Sequence, residues 1–287
     1  MRKGLIFLAA ILAVPLSGCL QQIAVSSLGG IMENGFTVLN EEQDLALAEL
    51  SGASNLKLLE AVLKSDPDNE HYLLLASEGY SSYALAFAED DSADRARLLY
   101  LRGKSYGMKI LLHHKEFADA ASRSVDEFSN ALHTFSRGDV PAVFWTAVGW
   151  GSAIGLSLTD PSAIADLPKV EAMMKFVADN DSSYFYGGGY FFLGTLAGSR
   201  PSLLGGDTAR SRSYFDRCLA VNKGNFLMTY VYLARSYAVQ TQNRGLFEEC
   251  LTRVDTASID ILPEARLSNA VAKKKAHLLR ARIDQLF

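Results

Sequence analysis

The chain has 287 residues and a formal net charge of −4, from 28 basic and 32 acidic side chains. A mildly acidic chain without a long basic run lacks the electrostatic footprint of a nucleic-acid-binding protein. Three cysteines are too few for a disulfide-stapled scaffold, while the length suffices for a large apolar core.

The N-terminus has the pattern of a lipoprotein export signal. Arg2 and Lys3 precede an apolar run that is too short to cross a bilayer, and Leu16-Ser17-Gly18-Cys19 follows. Small residues before a cysteine are typical of a lipobox, so we expect cleavage that leaves Cys19 as an acylated N-terminus. An ordinary signal with a chance cysteine is the alternative. Leu20 is not the aspartate that retains lipoproteins in an inner membrane, which favours an outer-membrane anchor.

This pattern divides the chain into three parts. Residues 1–18 are the predicted lipoprotein signal peptide, residues 19–35 a flexible tether, and residues 36–287 a folded helical domain.

The first part of the predicted domain contains amphipathic helices separated by turn residues. A first helix is expected over residues 36–50 and ends at Ser51-Gly52, and a short one follows over residues 56–63. Longer helices are expected over residues 70–88 and 93–113.

The loop before the fourth of these helices is acidic. Glu89-Asp90-Asp91 lacks the oxygen spacing and central glycine of a calcium loop. We therefore expect a solvated loop in which Ser92 caps the following helix.

Residues 140–159 contain no charged side chain. Their length makes a membrane span possible on hydropathy alone, but glycines, serines and a proline dilute the run. Trp145 and Trp150 both lie inside the run, whereas membrane-spanning helices place tryptophans at the two interfaces. A buried central helix is therefore the favoured interpretation.

Residues 184–219 predict a helical hairpin. Tyr190, Leu193 and Gly194 share one helix face, and the glycine allows a second helix to approach closely. Gly205-Gly206 ends helical structure, and Asp207 is placed to cap the second helix.

The same residue spacing recurs and is typical of the first helix of a tetratricopeptide repeat. The copies are Tyr72/Leu75/Ala76/Gly79, Trp145/Val148/Gly149/Ser152, Tyr190/Leu193/Gly194/Ala197 and Tyr230/Leu233/Ala234/Tyr237. The predicted fold is all-α, a tetratricopeptide-like superhelix of about four degraded hairpins with inserted helices. Unrelated amphipathic helices that share a small contact residue are the alternative.

The second half carries two cysteines and a basic terminal helix. Cys218 and Cys250 occupy matching places in YFDRCL and LFEECL, so we expect two buried thiols without a bridge between them. The run Lys273-Lys274-Lys275 is expected to form a solvated capping face, with contact to lipid headgroups or an acidic partner as the alternative.

No catalytic or metal-binding motif appears. The chain has no Walker loop, no G-x-S-x-G elbow and no H-E-x-x-H pair, so we expect neither an enzyme nor a bound cofactor.

The predicted hairpin contains more aromatic side chains than one helix face can bury. Candidates to line a groove or channel for an apolar or carboxylated ligand are Trp145, Trp150, Tyr184, Tyr186, Tyr190, Phe191 and Phe192. Packing between repeats is the alternative. Arg200 could clamp a carboxylate, or it could tie down its loop through Asp207 or a helix-end carbonyl.

Four segments together resemble a known family. They are Trp145-Thr146-Ala147 with Trp150-Gly151, the ADLPKVEA run of residues 165–172, Tyr184-x-Tyr186-Gly187-Gly188, and Ser199-Arg200-Pro201-x-x-Leu204-Gly205-Gly206-Asp207. Behind a lipobox, this combination resembles the TatT family, the tetratricopeptide-like lipoproteins associated with tripartite ATP-independent periplasmic (TRAP) transporters. The resemblance spans about residues 36–283.

The resemblance implies a periplasmic, lipid-tethered helical protein that binds the solute-binding protein of the transporter. It also implies a homotrimer with a largely hydrophobic channel in each subunit. The expected function is docking that receptor and helping to deliver a small hydrophobic or carboxylate ligand. An envelope-assembly lipoprotein that binds protein clients through its repeats is the alternative.

Overall fold

The computed structural model describes residues 30–157, 160–200, 202 and 205–287, and this part of the chain is largely helical and contains no β-strand. The all-α prediction is therefore confirmed. The predicted signal peptide and Cys19 lie outside the described residues.

The helices follow one another through short connections. They are α1 (residues 30–40), α2 (Leu45–Ser65), α3 (Glu70–Phe87), α4 (Ala93–Leu111), α5 (Lys115–Ala120), α6 (Val125–Ala131), α7 (Val140–Gly155), α8 (Pro161–Ile164), α9 (Leu167–Asn180), α10 (Tyr184–Gly198), α11 (Thr208–Asn222), α12 (Met228–Tyr232), α13 (Arg244–Thr256), α14 (Arg266–Arg280) and α15 (Ile283–Leu286). A π-helical segment, Leu233–Ala238, continues α12.

Helix α1 begins earlier than the predicted domain boundary. Residues 30–35, which the sequence predicts to be part of the tether, are helical, and Met32 is buried in the apolar core. Helical structure therefore extends to the N-terminal side of residue 36.

The predicted helix break at Ser51-Gly52 is wrong, because α2 runs through both residues. The Ser51 hydroxyl donates to the Leu47 carbonyl at 2.7 Å, so it remains bonded within the helix. A Cβ at Gly52 would lie 3.4 Å from the ring of Tyr83, which shows how closely α3 packs here. The chain turns instead at residues 41–44, where Asp44 caps α2 through the amides of Ala46 and Leu47.

Both predicted N-caps are confirmed. The Ser92 hydroxyl accepts from the amide of Arg95 at the start of α4, and an Asp207 carboxylate oxygen accepts from the amide of Arg210 in α11. Each side chain satisfies an amide that the helix itself leaves unpaired.

Helix α7 is the buried central helix that the uncharged run predicts. It packs against α3, α4 and α9, and Trp145 and Trp150 are both buried. A Cβ at Gly149 would lie 2.7 Å from the Tyr100 carbonyl oxygen, so only glycine permits this approach of α4. None of the helices in the described residues combines the length and hydropathy needed to cross a bilayer.

The predicted hairpin of α10 and α11 is present. The Gly194 position lies against the ring of Phe215, where an added Cβ would be 3.1 Å from the ring. Cys218 and Cys250 are buried free thiols, as expected.

Two large apolar clusters form the core. One joins α2 and α3 to α7 and α9, and the other joins α2 and α3 to α11–α14. The C-terminal helix α14 thus packs against α2, and Arg266 donates to the Glu41 carbonyl at 2.8 Å. The two ends of the described chain therefore meet.

This closure corrects two expectations about charged segments. Lys275 is buried and binds the Asp90 carboxylate at 2.9 Å, so it does not belong to a solvated face. Glu89 likewise bonds inward, to Tyr100 at 2.7 Å and Arg235 at 3.1 Å. Through Glu89 and Asp90, the acidic loop therefore binds side chains of the C-terminal half of the chain.

Candidate functional site

A cavity of about 360 Å³ lies where the two apolar clusters face each other. Its wall contains residues of α3, α7, α10, the π-helical segment and α14. Apolar and aromatic side chains supply most of the wall, with a few polar groups among them, which is the usual character of a small-molecule site.

Phe185 is the centre of the aromatic part of the wall. Its ring centroid lies 4.7 Å from that of Trp145, 5.5 Å from Phe144 and 5.8 Å from Phe226. Tyr186 stacks on Phe226 with an interplanar angle of 17°. Rings from three separate segments thus form one continuous apolar surface.

The backbone that presents these rings adopts the left-handed conformation over three successive residues. Phe185, Tyr186 and Gly187 have φ values of 44°, 60° and 84°. For a non-glycine residue this conformation costs roughly 1–2 kcal/mol. The strain persists only because neighbouring contacts hold it, and such strain tends to mark functional positions.

Asn222 of α11 supplies the main polar restraint on this turn. Its side-chain amide donates to the Tyr186 carbonyl at 3.1 Å and to the Thr229 hydroxyl at 3.1 Å, and its carbonyl accepts from the Gly224 amide at 2.9 Å. The buried Cys218 thiol lies 3.6 Å from the same Tyr186 carbonyl. Burial raises the pKa of Cys218 to about 11, so this thiol is neutral at physiological pH.

The π-helical segment brings a charged cluster to another part of the wall. Arg235 pairs with Glu89 at 3.1 Å, and its guanidinium carbon lies 4.9 Å from the Tyr232 ring centroid. Burial alone would raise the pKa of Glu89, but Lys275, Arg235 and Tyr100 together lower it. The cluster is therefore charged and internally satisfied. π-Helical insertions are frequent at functional sites.

Arg200, at the end of α10, also lines the cavity. Its Nε donates to the Leu196 carbonyl at 3.0 Å, which is the helix-end contact expected as one alternative, while Asp207 caps α11 instead. Among the described residues no carboxylate lies within ion-pair distance of Arg200. Burial lowers the pKa of its guanidinium, which nonetheless stays charged at neutral pH.

Glu78 of α3 lines the cavity as well, and it has no hydrogen-bond or ion-pair partner among the described residues. Burial raises its pKa to about 7. Burial is the largest cause of the raised pKa values of Tyr184 and Tyr186; the charge of Glu78 raises both further, and that of Glu264 also raises the pKa of Tyr186.

The structure brings five of the predicted ligand residues to the cavity wall: Trp145, Tyr186, Phe191, Phe192 and Arg200. The other three lie elsewhere. Trp150 packs in the core beneath the Lys104 ammonium at 3.6 Å, Tyr184 accepts from the Trp145 indole at 3.2 Å, and Tyr190 stacks on Tyr214. These three side chains make the contacts expected under the alternative interpretation, in which the aromatic residues pack between helices.

Sequence reasoning missed several wall residues, including Glu78, Glu89, Phe144, Phe185, Phe226 and Arg235. Glu78 did carry a signal, since it is the only charged side chain between Tyr72 and Ala88. Phe185 carried none, because a left-handed phenylalanine cannot be inferred from its neighbours.

The arrangement suits binding. It offers a largely apolar enclosure with a few charged side chains in its wall, namely Glu78, Arg200, Glu264 and the Glu89–Arg235 pair. Within the described residues no three His, Cys, Asp or Glu side chains gather as a metal site would require.

Comparison with known proteins finds a family model and a relative that each match most of the chain. A family model described as the TRAP transporter T-component matches residues 41–287. An uncharacterized protein of Treponema pallidum (strain Nichols) is 25% identical over 267 residues, which cover 87% of this chain and 82% of the relative. The family match includes every helix from α2 onward and nearly the whole cavity wall.

Proposed function

The chain belongs to the TRAP transporter T-component family, and we propose that it serves the transporter as a lipid-anchored periplasmic binding protein. It docks the solute-binding protein of the transporter and helps to deliver a small ligand with an apolar or carboxylated character. Acylated Cys19 holds it at a membrane, with the outer membrane favoured.

The observation that carries the ligand part of the proposal is the cavity. Its volume of about 360 Å³ and its aromatic wall suit a small apolar body, because burying apolar surface is the main favourable contribution to such binding. Arg200 adds a guanidinium without a carboxylate partner in the described residues, which supports a carboxylate on the ligand.

The family membership carries the partner part. A component of a TRAP transporter works together with the other proteins of that system, which supports the solute-binding protein as its partner. The resemblance implies a homotrimer, which analytical ultracentrifugation of the full chain would detect.

The test measures two steps with purified components. The full chain in lipid nanodiscs is titrated with the TRAP solute-binding protein, and a solute-binding protein of an ABC importer is the matched control. The expected result is saturable binding of the first only, together with transfer of a fluorescent apolar ligand from the chain to it. Equal binding of both receptors, or of neither, would refute the docking role, and capture of unfolded envelope proteins instead would favour an assembly function.

A further inference from the structure

Glu78 differs from Glu60 and Glu89, two other partly buried carboxylates, in having no cation within ion-pair distance among the described residues. Glu89 is paired with Arg235, and Glu60 with Arg102 and two tyrosine hydroxyls. Burial of an ionised carboxylate without a partner is costly, and proteins rarely retain one without a use. The missing partner of Glu78 thus requires an explanation.

The neighbouring cations of the cavity wall do not supply that partner. Arg235 is held by Glu89 at 3.1 Å, and Arg200 donates to the Leu196 carbonyl at 3.0 Å. Glu264, the remaining carboxylate of the wall, is exposed and can be hydrated, whereas burial is the dominant influence on Glu78. No side chain of the wall in the described residues is placed to neutralise an ionised Glu78, so that role falls to a proton or to a cation that enters the cavity.

The surroundings of Glu78 favour a cation in the cavity. Phe144, Trp145, Phe185 and Tyr186 form the aromatic part of the same wall, and the face of an aromatic ring attracts a positive charge. A carboxylate and several aromatic rings on one cavity wall suit an ammonium group, since they supply both an opposite charge and a compatible apolar enclosure.

We propose that Glu78 is the binding site for a protonated amine of the ligand, so that the cavity selects an apolar molecule bearing an ammonium group. This inference rests on the proposed ligand-carrying function and adds the chemical class of one ligand group. Tyr186 lines the same cavity as this carboxylate.

The test compares three probes that share one apolar body: phenylbutylamine, phenylbutanol and phenylbutyrate. Each is titrated calorimetrically at about pH 8 into the full chain in nanodiscs of neutral lipid, with empty nanodiscs as the blank. The wild-type chain should bind the amine about tenfold more tightly than the alcohol, as expected for one charge-assisted contact. Glu78→Gln should abolish this preference and leave the affinity for the alcohol within about twofold.

Glu116→Gln is the matched control, because it removes an exposed carboxylate of α5 that lies outside the cavity wall. It should retain the preference for the amine. If Glu78→Gln fails to bind the alcohol and has therefore lost its fold, Glu78→Asp, which retracts the carboxylate by one methylene, should show a reduced preference.

The outcomes separate this inference from the proposed function. Equal affinity for amine and alcohol in the wild-type chain, or a preference that survives in Glu78→Gln, would overturn the amine site and leave the cavity as a ligand site. Failure of all three probes to bind the wild-type chain would overturn both the amine site and the ligand-carrying role, while receptor docking is measured independently.

Discussion

The Lys275 ammonium lies 2.9 Å from the Asp90 carboxylate and joins the last long helix to the loop between α3 and α4. The ammonium also contacts the second carboxylate oxygen at 3.0 Å, and the Lys275 side chain is only 4% exposed. Lys275 also lowers the pKa of Glu89, which lines the cavity. The contact between α14 and the acidic loop therefore also affects the charged part of the cavity wall.

We expect Lys275→Met to destabilise the fold by about 2 kcal/mol. Removing one partner of a buried pair typically costs 3–5 kcal/mol, and the 25% exposure of the Asp90 side chain reduces that penalty. Urea unfolding followed by circular dichroism measures the change. The control is Arg212→Met, which breaks an exposed pair with Asp216 and should cost less than about 0.5 kcal/mol. If the two variants lose the same free energy of unfolding, the Lys275–Asp90 pair contributes no more to stability than an exposed ion pair does.

Cys19→Ser should release the protein from membranes. Acylation of this residue is predicted from the lipobox alone, and two acyl chains anchor a protein stably. Radiolabelled palmitate should enter the wild-type chain and not the variant, and fractionation should move the variant into the soluble periplasm. Cys218→Ser is the control, because that thiol is buried. Labelling that persists in Cys19→Ser would disprove the anchor.

Asn222→Ala should loosen the left-handed turn that presents Phe185 and Tyr186. The variant leaves the Gly224 amide and the Tyr186 carbonyl without their amide partner, which should cost about 2 kcal/mol. Affinity for phenylbutanol should fall, since the aromatic wall is no longer held in place.

The matched control is Asn180→Ala. This residue is exposed, and its amide donates only to the Phe176 carbonyl in its own helix. Affinity for phenylbutanol should be unchanged. If Asn222→Ala binds the probe as tightly as the wild-type chain does, the turn does not shape the site.

Local features of this fold could be predicted because they depend on neighbouring residues. Ser92 and Asp207 act as N-caps, and the uncharged run forms the buried helix α7. The predicted helix break at Ser51-Gly52 is wrong because of a tertiary contact. Gly52 leaves room for the ring of Tyr83, and this packing outweighs the weak helix propensity of glycine.

The site was predicted only in part, because its residues come from distant segments. Successive residues of a helix point about 100° apart, and here Phe191 and Phe192 line the cavity, whereas Tyr190 stacks on Tyr214 outside its wall. The sequence shows the aromatic richness of α10 but not which side faces inward. Likewise, the Asp90–Lys275 pair depends on how the chain closes, which no local pattern reveals.

Glu78 should make stability depend on pH. Its folded pKa of about 7 exceeds the ordinary value of 4.5, so the folded state favours the protonated form. The stabilisation is complete below about pH 4.5 and is lost as the pH rises through 7. Between about pH 5 and pH 8 the loss should be on the order of 2 kcal/mol.

Urea unfolding of the wild-type chain and Glu78→Gln at several pH values isolates this effect, because other titrating groups cancel in the difference. The variant should gain stability relative to the wild-type chain as the pH rises. Glu264→Gln, which alters an exposed carboxylate, should show no such trend. A difference between the wild-type chain and Glu78→Gln that stays constant with pH would mean that Glu78 is not desolvated.

Arg200→Gln should weaken the binding of a carboxylate selectively. The guanidinium lines the cavity and has no carboxylate partner in the described part of the chain, so it can form a charge-assisted pair with phenylbutyrate. Calorimetry should show an affinity about tenfold lower for phenylbutyrate and little change for phenylbutanol. Arg217→Gln is the control, because Arg217 is exposed and lies over the Tyr190 ring, outside the cavity wall. If Arg200→Gln and Arg217→Gln bind phenylbutyrate equally well, Arg200 only ties α10 to its following loop through the Leu196 carbonyl.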